Sequence, residues 1–152
     1  MLQKKDFEDA GIIYLEDDVV EIEGLYIYGN PYTPKYGNWA FMKTPEKLNR
    51  YWREVRPIYT DILITHGPPK GILDKSYNRS REIDQCGDKN LLNMVKELKP
   101  KLVCFGHIHD VSDLMNAGTC NISGINTIFS NGTVVTDNKF GTLTSNGNIL
   151  EI

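Results

Sequence analysis

Apolar residues recur along this chain in two patterns, which predict alternating strands and helices. Short apolar runs bounded by turn-forming residues are typical of β-strands. Such runs lie at 12–15, 19–22, 25–28, 61–66 and 101–105. Asp17-Asp18 and Glu23-Gly24 supply the turns between the first three, so we expect them to form an antiparallel meander.

Two amphipathic segments separate the later strands. Thr44 and Pro45 suit the N-cap and first position of a helix, whose apolar face continues towards Pro57, where we expect it to end. Asp88 suits the N-cap of a second helix over 89–98, with leucine and valine residues on one face.

The order strand, helix, strand over residues 61–105 predicts a right-handed βαβ unit. Its two strands are then parallel, and their carboxyl ends lie at the same edge of the sheet. After residue 110 the chain is rich in β-formers and turn residues, which predict hairpin strands at 127–130, 132–136, 142–145 and 149–152. The chain shows no repeat and no low-complexity linker, so we expect one α/β (α+β) domain over residues 1–152.

Composition narrows the possible functions. The net charge of −3 provides no positive field for general nucleic-acid or membrane-surface binding. No apolar run approaches the roughly 20 residues that span a bilayer. The three cysteines include no Cys-x-x-Cys pair and suit a reducing compartment, so we expect no membrane association and an intracellular, cytoplasmic protein.

The three histidines all lie where a predicted strand ends. His66 precedes Gly67, and His107 and His109 follow Gly106. A glycine at position 106 would allow a sharp turn or a close approach of a ligand. Open α/β sheets bind ligands at this edge, and neutral imidazole is the commonest transition-metal ligand. Any single histidine could be structural, but the three together predict a metal site.

The segment 29–41 combines glycine, proline and aromatic residues, among them Tyr32 and Trp39. These aromatic side chains could cover the domain as a lid or form the wall of a substrate pocket, and both interpretations remain open.

The connection over 67–87 is longer than most loops within a domain. It holds the densest group of positive side chains, which are Lys70, Lys75, Arg79 and Arg81. A phosphate-bearing substrate above the histidines could bind these residues. Alternatively, neighbouring acidic residues offset their charges in a solvated loop.

Three segments of the chain resemble the calcineurin-like metallophosphoesterases. They are Leu63–Pro69, Lys99–His109 and Ile128–Asn131. Tyr28-Gly29-Asn30-Pro31 followed by Trp39 is most similar to the metallophosphoesterase-domain-containing proteins within that superfamily.

The resemblance implies a β-sandwich flanked by helices, with two divalent metal ions (Mn, Fe, Zn or Mg) at the strand ends. A metal-bound hydroxide would attack the phosphorus of a phosphate-ester substrate. His66 and His107 would bind one ion and His109 the other, which makes His107 and His109 the catalytic candidates. The substrate-binding candidates are Asn30, Tyr32, Trp39, Lys70, Arg79 and Arg81.

Three motifs of that superfamily have no counterpart in this sequence. They are Asp-x-His, Gly-Asp-x-x-Asp and Gly-Asn-His-Asp/Glu, all of which precede the matching segments. We therefore expect the N-terminal part of the fold to be absent and at most one complete metal site to come from this chain. An N-terminal complementing polypeptide or extension would supply the other ligands, and an open sheet edge could also cause self-association.

Three functions follow as alternatives. The first is a metal-dependent phosphoesterase that hydrolyses a phosphomonoester or phosphodiester and is incomplete without its N-terminal part. The second is a catalytically inactive binding or interaction module that retains the later half of the fold. The third is a mononuclear zinc hydrolase in which His66, His107 and His109 bind a single ion.

Overall fold

The computed structural model describes residues 3–55, 59–111, 113–136 and 141–152. Its helices are α1 (Lys4–Asp9), α2 (Pro45–Glu54) and α3 (Lys89–Leu98). The side chains of Thr44 and Asp88 cap α2 and α3 as predicted. The predicted helix end at Pro57 lies outside the described residues. None of the helices in these ranges is long and apolar enough to cross a membrane.

The strands alternate with these helices. In chain order they are β1 (Asp18–Ile22), β2 (Leu25–Asn30), β3 (Thr33–Pro34), β4 (Met42–Lys43), β5 (Ile62–Thr65), β6 (Lys75–Tyr77), β7 (Ile83–Gln85), β8 (Leu102–Phe105), β9 (Gly118–Ile122) and β10 (Ile125–Asn131).

Six of these strands form one mixed sheet in the order β1-β2-β5-β8-β10-β9. The strands β2, β5, β8 and β10 are parallel to one another, whereas β1 and β9 pair antiparallel at the two edges. The other four strands form the pairs β3–β4 and β6–β7. The α/β fold class is therefore confirmed, together with the predicted parallel pairing of the two histidine-bearing strands.

The core lies between one face of the sheet and the two longer helices. Leu63, Val103 and Phe129 on three adjacent strands are fully buried. They belong to one cluster with Leu48 and Trp52 of α2 and with Leu91, Met94 and Val95 of α3. Burying each such side chain contributes about 1.5–3 kcal/mol. The indole Nε1 of Trp52 also donates to Asp88 Oδ2 at 2.7 Å, which ties α2 to the cap of α3.

The opposite face of the sheet is apolar but more open. Ile27 pairs in register with Ile62, and Gly29 with Ile64, whose side chain is 44% exposed. Leu15 packs directly on Gly29, where a Cβ atom would lie 2.4 Å from that of Leu15. The strand predicted at 12–15 is therefore wrong, because this segment crosses over the sheet and does not pair with its edge.

The C-terminal prediction is correct only in part. The strand predicted at 127–130 is the centre of β10, but β9 was not predicted. Val135 and Leu143 form only an isolated bridge, and the described residues 149–152 form no strand. The segment predicted as a long loop at 67–87 contains regular secondary structure, because β6 and β7 form a hairpin within it.

Candidate metal centre and substrate cavity

The backbone brings the ends of three strands to one point. The N–H of His66 donates to the carbonyl of Asn30 at 3.2 Å, and the N–H of Gly106 donates to the carbonyl of His66 at 3.1 Å. These bonds extend the pairing of β2, β5 and β8 by one residue. As a result, the imidazole rings of His66 and His107 lie 4.6 Å apart, centroid to centroid.

The turn after β8 is made by His107 itself. His107 has a φ of 70°, in the left-handed region that non-glycine residues rarely adopt, and Gly106 does not. The left-handed residue of this turn is therefore His107 and not Gly106, and the close approach of a ligand at Gly106 stays a prediction. A non-glycine residue held in such a conformation costs on the order of 1–3 kcal/mol, and such residues cluster at functional sites.

Gly67 allows the chain after His66 to pass close to its neighbours. A Cβ atom at this position would lie 2.5 Å from Thr33 Oγ1 and 3.9 Å from His107 Cδ2. Thr33 is itself buried, so it has little room to move. The glycine after His66 is thus required by packing around the histidine pair.

The surroundings of both paired imidazoles lower their pKa values and so favour the neutral ring. Burial lowers the pKa of His66. Burial also lowers the pKa of His107, and the neighbouring His66 and His109 lower it further. A neutral imidazole has a nitrogen lone pair available, which is the form that binds a metal ion.

The three histidines share one cavity of about 610 Å³. Its wall includes two lysines and two exposed aromatic residues, Lys35, Lys75, Tyr36 and Trp39. Trp39 also lines an adjoining cavity of about 620 Å³, where Leu15, Phe41 and Ile64 make most of the wall apolar and His66 lies at the boundary. The histidines therefore face a space large enough for a small organic phosphate.

The described donors do not complete a metal site. No group of three His, Cys, Asp or Glu side chains within the described ranges is placed to hold a metal ion. The nearby carboxylate of Asp110 accepts hydrogen bonds from the N–H groups of Asn116 and Ala117. The described residues thus form a pair of imidazoles with His109 on the same wall, and not a closed three-imidazole zinc site.

Two of the substrate-binding candidates are engaged inside the protein. The Asn30 side chain is buried and donates to Asp17 Oδ1 at 2.6 Å, and it also contacts the Tyr51 hydroxyl. The Tyr32 ring packs against Tyr51 at a centroid distance of 4.8 Å. Asn30 lines the adjoining cavity, whereas Trp39 lines both cavities.

The three positive candidates lie away from the histidines. Lys70 Nζ donates to the carbonyl of Gln85 at 3.1 Å. Arg79 and Arg81 lie in the turn between β6 and β7. None of these three lines the histidine cavity, which instead holds Lys35 and Lys75. Lys35 was not predicted, because only the unforeseen pairing of β3 with β4 brings its segment beside the histidines.

The sequence model of the family Calcineurin-like phosphoesterase matches residues 4–111. The chain belongs to the calcineurin-like phosphoesterase family. It is 39% identical over 109 residues to human metallophosphoesterase domain-containing protein 1, covering 70% of this chain and 32% of the relative. It is 44% identical over 103 residues to a UPF0046 protein of Caenorhabditis elegans, covering 66% of this chain and 25% of the relative.

A solved crystal structure shares the fold of this calcineurin-like phosphoesterase. The two superimpose with a TM-score of 0.52 at 19% sequence identity, and the match covers 85% of this chain and 49% of the other. The present chain therefore spans about a quarter to a third of the two curated relatives described here, and about half of this structural neighbour.

Proposed function

We propose that this chain takes part in the metal-dependent hydrolysis of a phosphate ester, a phosphomonoester or a phosphodiester, with His66 and His107 as ligands of a divalent ion. The observation that carries this proposal is the pair of imidazole rings 4.6 Å apart on the wall of the cavity. Imidazole ligands suit Zn or Fe better than Mg. His109 lies on the same wall and is assigned to the second ion of the family pattern.

The cavity also supports a phosphate-bearing substrate. Lys35 and Lys75 lie on its wall, and an ammonium group binds phosphoryl oxygens as a compact positive charge. The exposed rings of Tyr36 and Trp39 lie 6.0 Å apart, centroid to centroid, beside these lysines. They offer an apolar surface to the alcohol part of the ester.

We further propose that the remaining metal ligands come from an N-terminal complementing polypeptide or extension. Two divalent ions need carboxylates to offset their charge, and the residues described around the histidines do not supply them. The open apolar face that carries Ile62 and Ile64 leads to the same edge as His66. A polypeptide that covers this face would end beside the histidines.

The test adds the missing part in trans. The 152-residue chain is mixed with the N-terminal part of the human relative in the presence of Mn²⁺, and the hydrolysis of bis(4-nitrophenyl) phosphate is followed. We expect turnover from the mixture that neither component shows alone, and its loss with His109→Ala. Turnover in the His66→Ala, His107→Ala and His109→Ala mixtures that equals the turnover of the unaltered mixture would contradict the proposal.

A non-catalytic binding module is the second candidate. It is favoured by the same observation that no three donors among the described side chains form a metal group. The two candidate functions make different predictions for the coding region upstream of this sequence. In-frame Asp-x-His and Gly-Asp-x-x-Asp motifs there favour the enzyme, and their absence favours the binding module.

A further inference from the structure

The segment Leu73–Lys75 is joined to the histidine loop by two asparagine side chains that are fully buried. The Asn116 Nδ2 atom donates to the carbonyl of Lys75 at 2.8 Å and to the carbonyl of His109 at 2.9 Å. The Asn131 Nδ2 atom donates to the carbonyl of Leu73 at 3.3 Å and to the carbonyl of Ile108 at 3.0 Å. Each amide therefore bridges one carbonyl of the segment and one of the loop.

The side-chain oxygen of Asn116 also takes part in this bridge. Its Oδ1 accepts the N–H of Lys75 at 3.0 Å, so Lys75 is held through both of its backbone polar groups. Both N–H bonds of the Asn116 amide and one lone pair of its oxygen are thereby used. Losing one partner of such a buried group costs about 1–3 kcal/mol, so the amide keeps one orientation.

The loop is fixed to Asn116 from its other side as well. The backbone N–H of Asn116 donates to Asp110 Oδ1 at 2.5 Å, and the N–H of Ala117 donates to the same oxygen at 2.8 Å. Asp110 directly follows His109. The backbone of Lys75 and the backbone of His109 are thus joined through one side chain, although they are distant in sequence.

Lys75 differs from the other positive residues of the 67–87 connection in where it lies. Its side chain is exposed and lines the cavity with the three histidines, whereas Lys70 donates to the Gln85 carbonyl outside the cavity. The hydrogen bonds from Asn116 to both backbone polar groups of Lys75 form a backbone clamp. This clamp therefore acts on a positive residue that lines the histidine cavity.

We propose that Lys75 binds the phosphoryl oxygens of the substrate and that Asn116 is the positioning residue that holds it on the cavity wall beside His109. This inference rests on the proposed phosphoesterase function. To that function the inference adds Lys75 as the residue that binds the phosphate and Asn116 as the residue that positions Lys75. Because the clamp is made through the backbone of Lys75, it leaves the ammonium group available to an anion.

The test uses inorganic phosphate as the probe. Phosphate is titrated into the metal-free ¹⁵N-labelled chain at low ionic strength, and the amide shifts of the cavity residues give the affinity. Lys75→Met should weaken phosphate binding about tenfold, as expected for the loss of one charge-assisted hydrogen bond. Lys70→Met, in the same connection but outside the cavity, should leave the affinity unchanged and is the matched control.

Asn116→Ser should weaken phosphate binding as much as Lys75→Met does, and hydrogen exchange at the Lys75 amide should become faster. The decisive readout is the double variant. If Asn116 acts through Lys75, then Asn116→Ser causes no further loss of phosphate affinity once Lys75 is Met. A purely structural role would give additive losses.

Several results would overturn the inference. These are no phosphate binding by the unaltered chain, equal effects of Lys75→Met and Lys70→Met, or additive losses in the double variant. Lys75→Met changes an exposed side chain, so this arm remains decisive even if Asn116→Ser does not fold. Because the titration uses no metal, its failure leaves the metal-binding role of His66 and His107 to be judged separately.

Discussion

The imidazole rings of His66 and His107 lie 4.6 Å apart, centroid to centroid, at the ends of neighbouring parallel strands. The pairing of β5 with β8 places them there, and the close approach at Gly67 and the left-handed backbone of His107 fix their arrangement. Burial also lowers the pKa values of both rings, which favours their neutral form. Backbone geometry and burial together give the arrangement on which the proposed metal binding rests.

Gly67→Ala should destabilise the fold. The added Cβ atom would lie 2.5 Å from Thr33 Oγ1, and overpacking of this kind costs about 1–3 kcal/mol in the free energy of unfolding. Gly106→Ala is the control, because nothing lies within 4 Å of a Cβ atom at that position. Urea unfolding of both variants measures the difference. Equal stability of the two variants would show that the Gly67–Thr33 contact is not tight.

Trp52→Phe should lower the free energy of unfolding by about 1.5–3 kcal/mol, because it removes a buried hydrogen bond to the Asp88 carboxylate. The substitution also removes the contact between α2 and Asp88, the N-cap residue of α3. Trp39→Phe should change stability by less than about 0.5 kcal/mol, because Trp39 is 65% exposed. Thermal or urea unfolding distinguishes the two. If both tryptophans tolerate phenylalanine equally well, the contact between Trp52 and Asp88 does not stabilise the fold.

Asp17→Asn should change how stability depends on pH. Burial raises the pKa of Asp17, against the opposing effect of hydrogen bonds from Asn30 and Tyr28. The folded state therefore favours the protonated carboxyl, whose contribution is fully present below the unfolded pKa of about 3.9 and is lost as the pH rises through the folded pKa. Asparagine does not ionise, so the variant should gain stability relative to the natural chain across this interval.

Urea unfolding at a series of pH values from about 3.5 to 7 measures this difference. The expected result is a difference in unfolding free energy that moves in favour of Asp17→Asn as the pH rises and then becomes constant. A constant difference throughout, or one that moves in the opposite direction, would contradict the pKa shift.

The sequence predicted the parts of this fold that local patterns determine. The caps Thr44 and Asp88, the buried strand before His66 and the buried strand before His107 were all recognised, because their signals lie within a few residues. The pairing of β5 with β8 followed from the crossover between them. The meeting of His66 and His107 was predictable for the same reason.

Tertiary contacts decided the rest. Residues 12–15 have the composition of a strand, but Leu15 packs across Gly29 and the segment does not pair with the sheet edge. Asn30 looked available to a substrate, yet its amide is bound to Asp17 in a part-buried network. Lys75 and Lys70 look alike in the sequence, but Lys75 lines the histidine cavity and is held by Asn116, whereas Lys70 donates to the Gln85 carbonyl.

Zinc binding by the chain mixed with the N-terminal part of the human relative tests the central claim most directly. Zn²⁺ is titrated calorimetrically into this mixture, which is made with the unaltered chain, with His66→Gln or with His107→Gln. The paired imidazoles predict an affinity at least about tenfold weaker with each variant than with the unaltered chain. No zinc binding by the mixture, or an affinity that is unchanged with both variants, would contradict it.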